Sequence, residues 1–221
     1  MKKSIPISII ITLFFIQQGN CQKIRTLFYD DILYGQVKQV ITINYLPGTM
    51  IAELTDTTFY DQNGITLEDD IKTMHGTHIK DKYTFSNLAS GKTMQITGER
   101  DQNLSGKFDA KGNLAEYDSY LKNSTFYFKS LYEYDERNNL ISFRYFDQHN
   151  SVTQKRTYKY DSNDRLISLE NWEPNLAFQY HADFEYLGID KAGNWTKRIG
   201  HTKLKTGKSE DRVVVRQITY Y

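Results

Sequence analysis

Between Leu176 and Tyr186, apolar and aromatic residues take every second place: Leu176, Phe178, Tyr180, Ala182, Phe184 and Tyr186, with Gln179, His181, Asp183 and Glu185 among the residues between. A strand with one packed and one wet face produces that two-residue period, because successive side chains leave a pleated backbone on opposite sides. Val152, Arg156, Tyr158 and Tyr160 alternate in the same way with Thr153, Lys155, Thr157 and Lys159. No segment after residue 21 carries the 3.6-residue period of a long helix, and β-branched and aromatic residues dominate. The pattern predicts an all-β chain.

The same pattern repeats. Residues 132–172 hold one unit stated twice: Tyr134-Asp135 and Tyr160-Asp161 lie 26 residues apart, as do Leu140-Ile141 and Leu166-Ile167. Between strand stretches, Asp61…Gly64, Asp109…Gly112, Asp135…Asn138, Asp147…Asn150, Asp161…Asp164 and Asp190…Gly193 share one spacing. Asp opens a type I turn because its carboxylate accepts hydrogen bonds from the N–H groups just ahead. Gly, Asn or Asp closes it, because that position needs φ > 0. Turn starts from Asp109 onward alternate at about 12 and 14 residues, one strand to each interval. The expected architecture is an antiparallel meander of successive hairpins forming a curved or rolled sheet, possibly two-layered. Residues 22–107 make a looser N-terminal β segment and 108–221 the sharper repeats, the two forming one continuous domain.

Closing the Asp135–Asn138 turn as a hairpin suggests a second apolar row. Tyr134 then faces Leu140 and Glu133 faces Ile141, so Ile141 and Phe143 fall on the side opposite Tyr132 and Tyr134. Ile167 and Leu169 repeat this one unit later. Either strands before residue 108 cover that face, or Ile141, Phe143, Tyr145, Ile167 and Leu169 form an interaction patch. The row of Tyr132, Tyr134, Tyr158, Tyr160, Phe178, Tyr180, Phe184 and Tyr186 is read as packed face, since every repeat needs a core. Stacking of sugar rings on it is the other reading.

The first 21 residues read as a secretory signal: Lys2 and Lys3, an apolar run over Ile5–Ile16, then Gly19 and Cys21 at the positions small residues occupy before cleavage. Twelve apolar residues are too few to span a bilayer, which takes roughly 20. Release with Gln22 as the new N-terminus gives a secreted or periplasmic protein. The alternative is a lipoprotein anchored through Cys21. That residue is the only cysteine, so no disulfide staples the fold. Loss of Lys2 and Lys3 takes the formal charge from +1 to −1, with acids and bases interleaved, and nothing in it marks a nucleic-acid partner. No membrane-spanning segment is expected after signal removal.

The Tyr-x-Tyr-Asp-x-x-(Gly/Asn)-x-Leu units resemble the YD repeats of RHS-type proteins. The whole layout resembles a group of uncharacterised exported proteins of Bacteroidetes-type bacteria that carry such repeats. The residues that carry this are Tyr34–Lys38, Asp190–Arg198 with its Gly-Asn-Trp, and Arg216–Tyr221. The resemblance covers nearly the whole mature chain and is sharp from about Phe108 onward. It implies a hairpin-repeat fold and export, and brings no activity with it.

Candidate chemistry is thin. His75, His78 and Asp81 come nearest to a metal cluster, but strand positions three apart point to opposite faces. The turn carboxylates supply one or two oxygens where Ca²⁺ wants about six to eight. No nucleophile, zinc or phosphate-loop motif occurs. The expectation is therefore no catalytic, cofactor-binding or metal residue, no cofactor and no enzyme. The chain reads as an exported envelope module that binds a glycan or another protein through its sheet surface. The alternative is a glycan hydrolase with an acidic pair that meets only in space.

Overall fold

In the computed structural model, residues 23–25, 32–88, 91–98, 102–121, 123–173 and 177–221 are described. The expected signal at 1–21 and residues 26–31 of the looser N-terminal β segment lie outside them. The strands are β1 (Lys23–Arg25), β2 (Ile32–Tyr34), β3 (Val37–Tyr45), β4 (Ala52–Tyr60), β5 (Thr66–Thr73), β6 (His78–Leu88), β7 (Gly91–Gly98) and β8 (Gln102–Phe108). They continue as β9 (Leu114–Leu121), β10 (Phe126–Tyr134), β11 (Leu140–Phe146), β12 (Val152–Tyr160), β13 (Leu166–Glu173), β14 (Ala177–Ile189), β15 (Trp195–Leu204) and β16 (Ser209–Tyr220). The described residues contain no helix.

The antiparallel meander of hairpins is as expected, but the sheet is neither open nor two-layered. Among the described residues, β3 to β16 form one closed barrel of fourteen strands, each paired with its chain neighbours. The ring closes where β16 pairs antiparallel with β3, from Val214↔Asn44 to Tyr220↔Val37. Strands before residue 108 therefore continue the same wall and do not lie over it. Closure leaves this sheet without an edge, the surface on which β-rich chains otherwise pair with one another, while β1 and β2 pair separately as a two-stranded sheet.

Because the strands alternate in direction, the turns fall into two sets. Those opening at Asp61, Asp109, Asp135, Asp161 and Asp190 share one end, here called the base; those after β3, β5, β9, β11 and β15 share the other, the mouth. All six Asp turns have their fourth residue at positive φ: Gly64 77°, Gly112 85°, Asn138 66°, Asn150 58°, Asp164 60° and Gly193 95°. Each Asp carbonyl accepts the N–H of that fourth residue. Asp61, Asp109, Asp147, Asp161 and Asp190 also accept the N–H groups two and four residues on, at 2.8–2.9 Å.

The base is sealed. Leu33 is 1% exposed and packs with Val37, Val40, Tyr60 and Ile218. Tyr34 and Asn194 exchange two hydrogen bonds, N to Oδ1 at 2.7 Å and Nδ2 to O at 2.8 Å. Asn194 Nδ2 also reaches the Tyr220 hydroxyl at 2.7 Å. Neighbouring turns are tied together: Asn139 donates to Asp164 Oδ1 at 3.0 Å, and Asn113 to Asn138 Oδ1 at 3.4 Å. Above this floor two aromatic-rich clusters fill the barrel, one around Tyr83, Met94, Ile96, Leu114 and Tyr117, the other around Leu140, Tyr158 and Leu166.

The expected apolar row on the far face is corrected by a β-bulge. Tyr134 pairs with Leu140, but Glu133 pairs with Ser142 and Tyr132 with Phe143, so Ile141 is an extra residue in its strand. One added residue flips the parity beyond it. Phe143 therefore shares the interior face with Tyr132, its ring centroid 5.4 Å away. The next unit repeats the shift, with Tyr160↔Leu166, Lys159↔Ser168 and Tyr158↔Leu169.

Candidate functional site

The five residues of the expected patch are divided by the wall of the barrel. Ile141 and Ile167 face outward, 39% and 41% exposed. Phe143 and Leu169 face inward against the Leu140 cluster. Tyr145, paired with Ser130 and Gln154, has its ring 4.9 Å from that of Phe128. The aromatic row is packed face for Tyr132, Tyr134, Tyr158, Tyr160 and Phe184, whereas Phe178 stays exposed beside Trp172. Tyr134 and Tyr186 also have a repeated polar task, each donating its hydroxyl to a leucine carbonyl twenty residues earlier, Leu114 and Leu166, at 2.8 Å.

The histidines disperse. His78 points outward and meets Asp70 Oδ1 at 2.9 Å, His75 sits in a mouth turn, and Asp81 is buried inside. Among the described residues no group of three or more His, Cys, Asp or Glu is placed to hold a metal ion.

The concave feature is the mouth. One cavity of about 410 Å³ lies against the inner faces of β13 to β16 and β3. Its apolar lining comes from Leu169, Ala182, Phe184, Leu204 and Val214, and its polar lining includes Asn44, Tyr180, Arg198, Thr202, Glu210 and Arg212. A second, of about 750 Å³, lies nearer the rim among Glu53, Leu54, Thr73, His75, Thr77 and Arg156. Asn44 and Arg212 line both. Volumes of this size are those of small-molecule sites, about 300–1,000 Å³.

The polar groups in the mouth are held in place. Arg212 Nε donates to Glu210 Oε1 at 3.1 Å, and its Nη1 donates to Glu53. Across the barrel Arg156 Nε donates to Asn171 Oδ1 at 3.1 Å, Asn171 Nδ2 donates to Glu173 at 3.1 Å, and Gln154 donates to the same carboxylate oxygen at 3.2 Å. Deeper in, two guanidinium groups stand by the Trp195 ring, Arg198 at 4.5 Å and Arg216 at 3.8 Å from its centre, and Arg198 also stands 4.7 Å over Phe184.

Arg216 faces an acidic wall. Asp56, Asp69 and Asp81 are all 5% exposed or less, and Tyr83 donates to Asp69 Oδ2 at 2.6 Å. Burial first, and the Asp69 charge second, push the Asp56 carboxyl up to about 7, with Arg216 pulling the other way. Burial likewise pushes the Tyr60 and Tyr83 hydroxyls up. None of these three aspartates lines either cavity.

Sequence reasoning passed over Glu53, Arg156, Arg198, Gly200, Glu210 and Arg212. One signal was available in β16: alternation through Ser209–Tyr220 puts Glu210, Arg212 and Arg216 on the same parity as Val214 and Ile218. Charges sharing the packed parity mark an interior that is not all core. The recurring Asn after the turn (Asn113, Asn139, Asn194) was a second signal, for the ties between base turns.

No family model matches this chain, and no curated protein matches it. Among solved structures, a porin-like protein from Bacteroides uniformis is similar in fold at a TM-score of 0.52 and 11% identity, over 83% of this chain and 98% of that one. TcdB2-TccC3 without its hypervariable C-terminal region aligns at a TM-score of 0.37 and 17% identity, over 83% of this chain and 10% of that one. A LolA superfamily protein from Nitrosomonas europaea aligns at 0.31 and 11% identity, over 83% and 84%.

Proposed function

We propose that this chain is an exported, non-catalytic β-barrel of the bacterial envelope, bathed in water, that binds a small ligand in its open mouth. The observation that carries this is the asymmetry of the two ends. The base is sealed by Leu33, Tyr34 and Asn194, while the mouth opens onto cavities whose polar groups are already fixed by ion pairs. A site with its polar groups fixed in advance loses little freedom on binding. The sealed base argues against a conduit.

The exterior argues against burial in lipid. A membrane barrel carries an apolar outer band about 25 Å tall. Here the outward positions bear cross-strand ion pairs, Glu68–Lys80, Lys107–Glu116 and Glu133–Arg144. Charges on the lipid face cost up to about 2–4 kcal/mol each near the bilayer midplane. The acidic pair that does line the cavities, Glu53 and Glu210, is engaged by Arg212, which favours holding a ligand over hydrolysing one.

The test is a screen of soluble envelope extracts by ligand-observed NMR, with Arg212→Ala as the control. Ligands that are retained unchanged and released by that variant support the reading. Turnover of a bound compound, or binding insensitive to the variant, counts against it.

A further inference from the structure

The deeper cavity has a floor of unusual make-up. Gly200 sits mid-strand in β15 between Arg198 and Thr202, and is not at positive φ. Neither turn nor strain calls for glycine, and glycine weakens a strand interior. A Cβ there would come within 3.3 Å of Phe184 Cε1 and 4.0 Å of the Arg212 carbonyl. The absent side chain leaves room for the Phe184 ring beside the strand, and a bulky side chain at 200 would crowd both the ring and the hollow next to it. Ala182, paired with Thr202 on the next row, keeps the neighbouring ground low.

Around this platform the polar groups come in both kinds. Arg212, held by Glu53 and Glu210, presents donors beside two carboxylate acceptors, and Asn44, Thr202 and Tyr180 can both give and accept. With Arg198, which lines the same hollow, the two arginines and two glutamates cancel in formal charge, which offers little to a strongly anionic head group. An apolar, ring-sized platform edged by alternating donors and acceptors suits a pyranose, which has a C–H face and hydroxyls around its rim. The sealed base stops a chain from threading through, and the wider cavity at the rim leaves room for further units toward solvent.

We propose that this hollow takes the terminal ring of a neutral glycan, packed against Phe184 beside Gly200 and the Arg198 guanidinium that stands over that ring, with its hydroxyls on Glu210, Arg212 and Asn44. This rests on the mouth being a binding site and adds the class of ligand. The test is calorimetric titration of the exported protein with chitotriose, maltotriose and mannotriose, and with dodecyl phosphate as an anionic amphiphile. At least one trisaccharide binds, and Gly200→Val weakens it by about tenfold or more. Circular dichroism checks that the variant folds, and Asn44→Leu, two strands along the wall in β3, must weaken the same sugar should Gly200→Val fail to fold. Dodecyl phosphate binding in the mouth with no sugar binding overturns the glycan assignment while leaving the mouth as a site. A sugar that binds equally well to the folded variants overturns the placement beside Gly200. No binding by any probe overturns the assignment as well.

Discussion

At the scale of single residues, the best-defined positions are those where backbone geometry restricts the choice of side chain. Asn138 and Asp164 sit at φ of 66° and 60°, where glycine is at ease and a β-branched residue is strained. Asn138→Gly is expected to be neutral or mildly stabilising in urea melts, and Asn138→Val to cost about 1–2 kcal/mol. Equal midpoints for the two would show that the turn does not need its left-handed residue. These turns were legible in the sequence because the Asp-x-x-Gly spacing is a local, four-residue matter. Asp56 was not, because its state depends on Asp69 and Asp70 in the next strand and on Arg216 near the end of the chain. Its carboxyl is raised, so the folded protein holds that proton more tightly than the unfolded chain does. Stability from this group is full below the unfolded value near 3.8 and is lost as pH rises toward about 7. Asp56→Asn keeps the shape without the charge. It should remove a decline on the order of 2–4 kcal/mol between pH 4 and 8, read from urea midpoints. The same decline in both proteins would mean that the carboxyl is not the cause.

At the scale of elements, the Asp turns marked where β4, β8, β10, β11, β12 and β14 end, while the turn between β15 and β16 was left unmarked. What alternation could not give was parity across the turns. The bulge after Asn138 and the one after Asp164 each insert a residue, and a count that ignores them puts Phe143 and Leu169 on the wrong side of the wall. The five-residue patch failed as a unit for this reason. The corrected register has a measurable consequence. Phe143, inside and against Tyr132, should cost about 3 kcal/mol when cut to Ala. Ile141, outside, should accept Thr within about 0.5 kcal/mol. If Ile141→Thr is the more damaging change in thermal melts, the bulge is misplaced and the original parity holds.

At the scale of the whole molecule, what decides the shape is the contact that neither local pattern nor repeat could announce. A meander of hairpins can curl, stack on itself or close, and all three use the same turns and the same alternation. Closure depends on β16 meeting β3, two strands at opposite ends of the described chain, and only there do Val214, Arg216 and Ile218 face Asn44, Thr42 and Val40. The mouth depends on it as well: Arg212 reaches Glu53 across this seam, and Asn44 joins both cavities beside it. The seam can be tested by a covalent bond. Ile41 and Gln217 are directly paired across it and lie between inward-facing neighbours, so both point outward. Paired antiparallel residues have Cα atoms about 4.5–5.5 Å apart, inside the 4.4–6.8 Å range of natural disulfides. With Cys21, the chain's only cysteine, changed to Ser, Ile41→Cys with Gln217→Cys should oxidise readily and run faster on a non-reducing gel. Joining the two ends of so long a loop should raise stability by about 5 kcal/mol in chain-entropy terms. The matched pair Ile41→Cys with Thr153→Cys, which no strand pairing brings together, should stay reduced under the same oxidant. Failure of the seam pair to close, or equal closure of both, would mean an open sheet, and with it the loss of the mouth as a formed site.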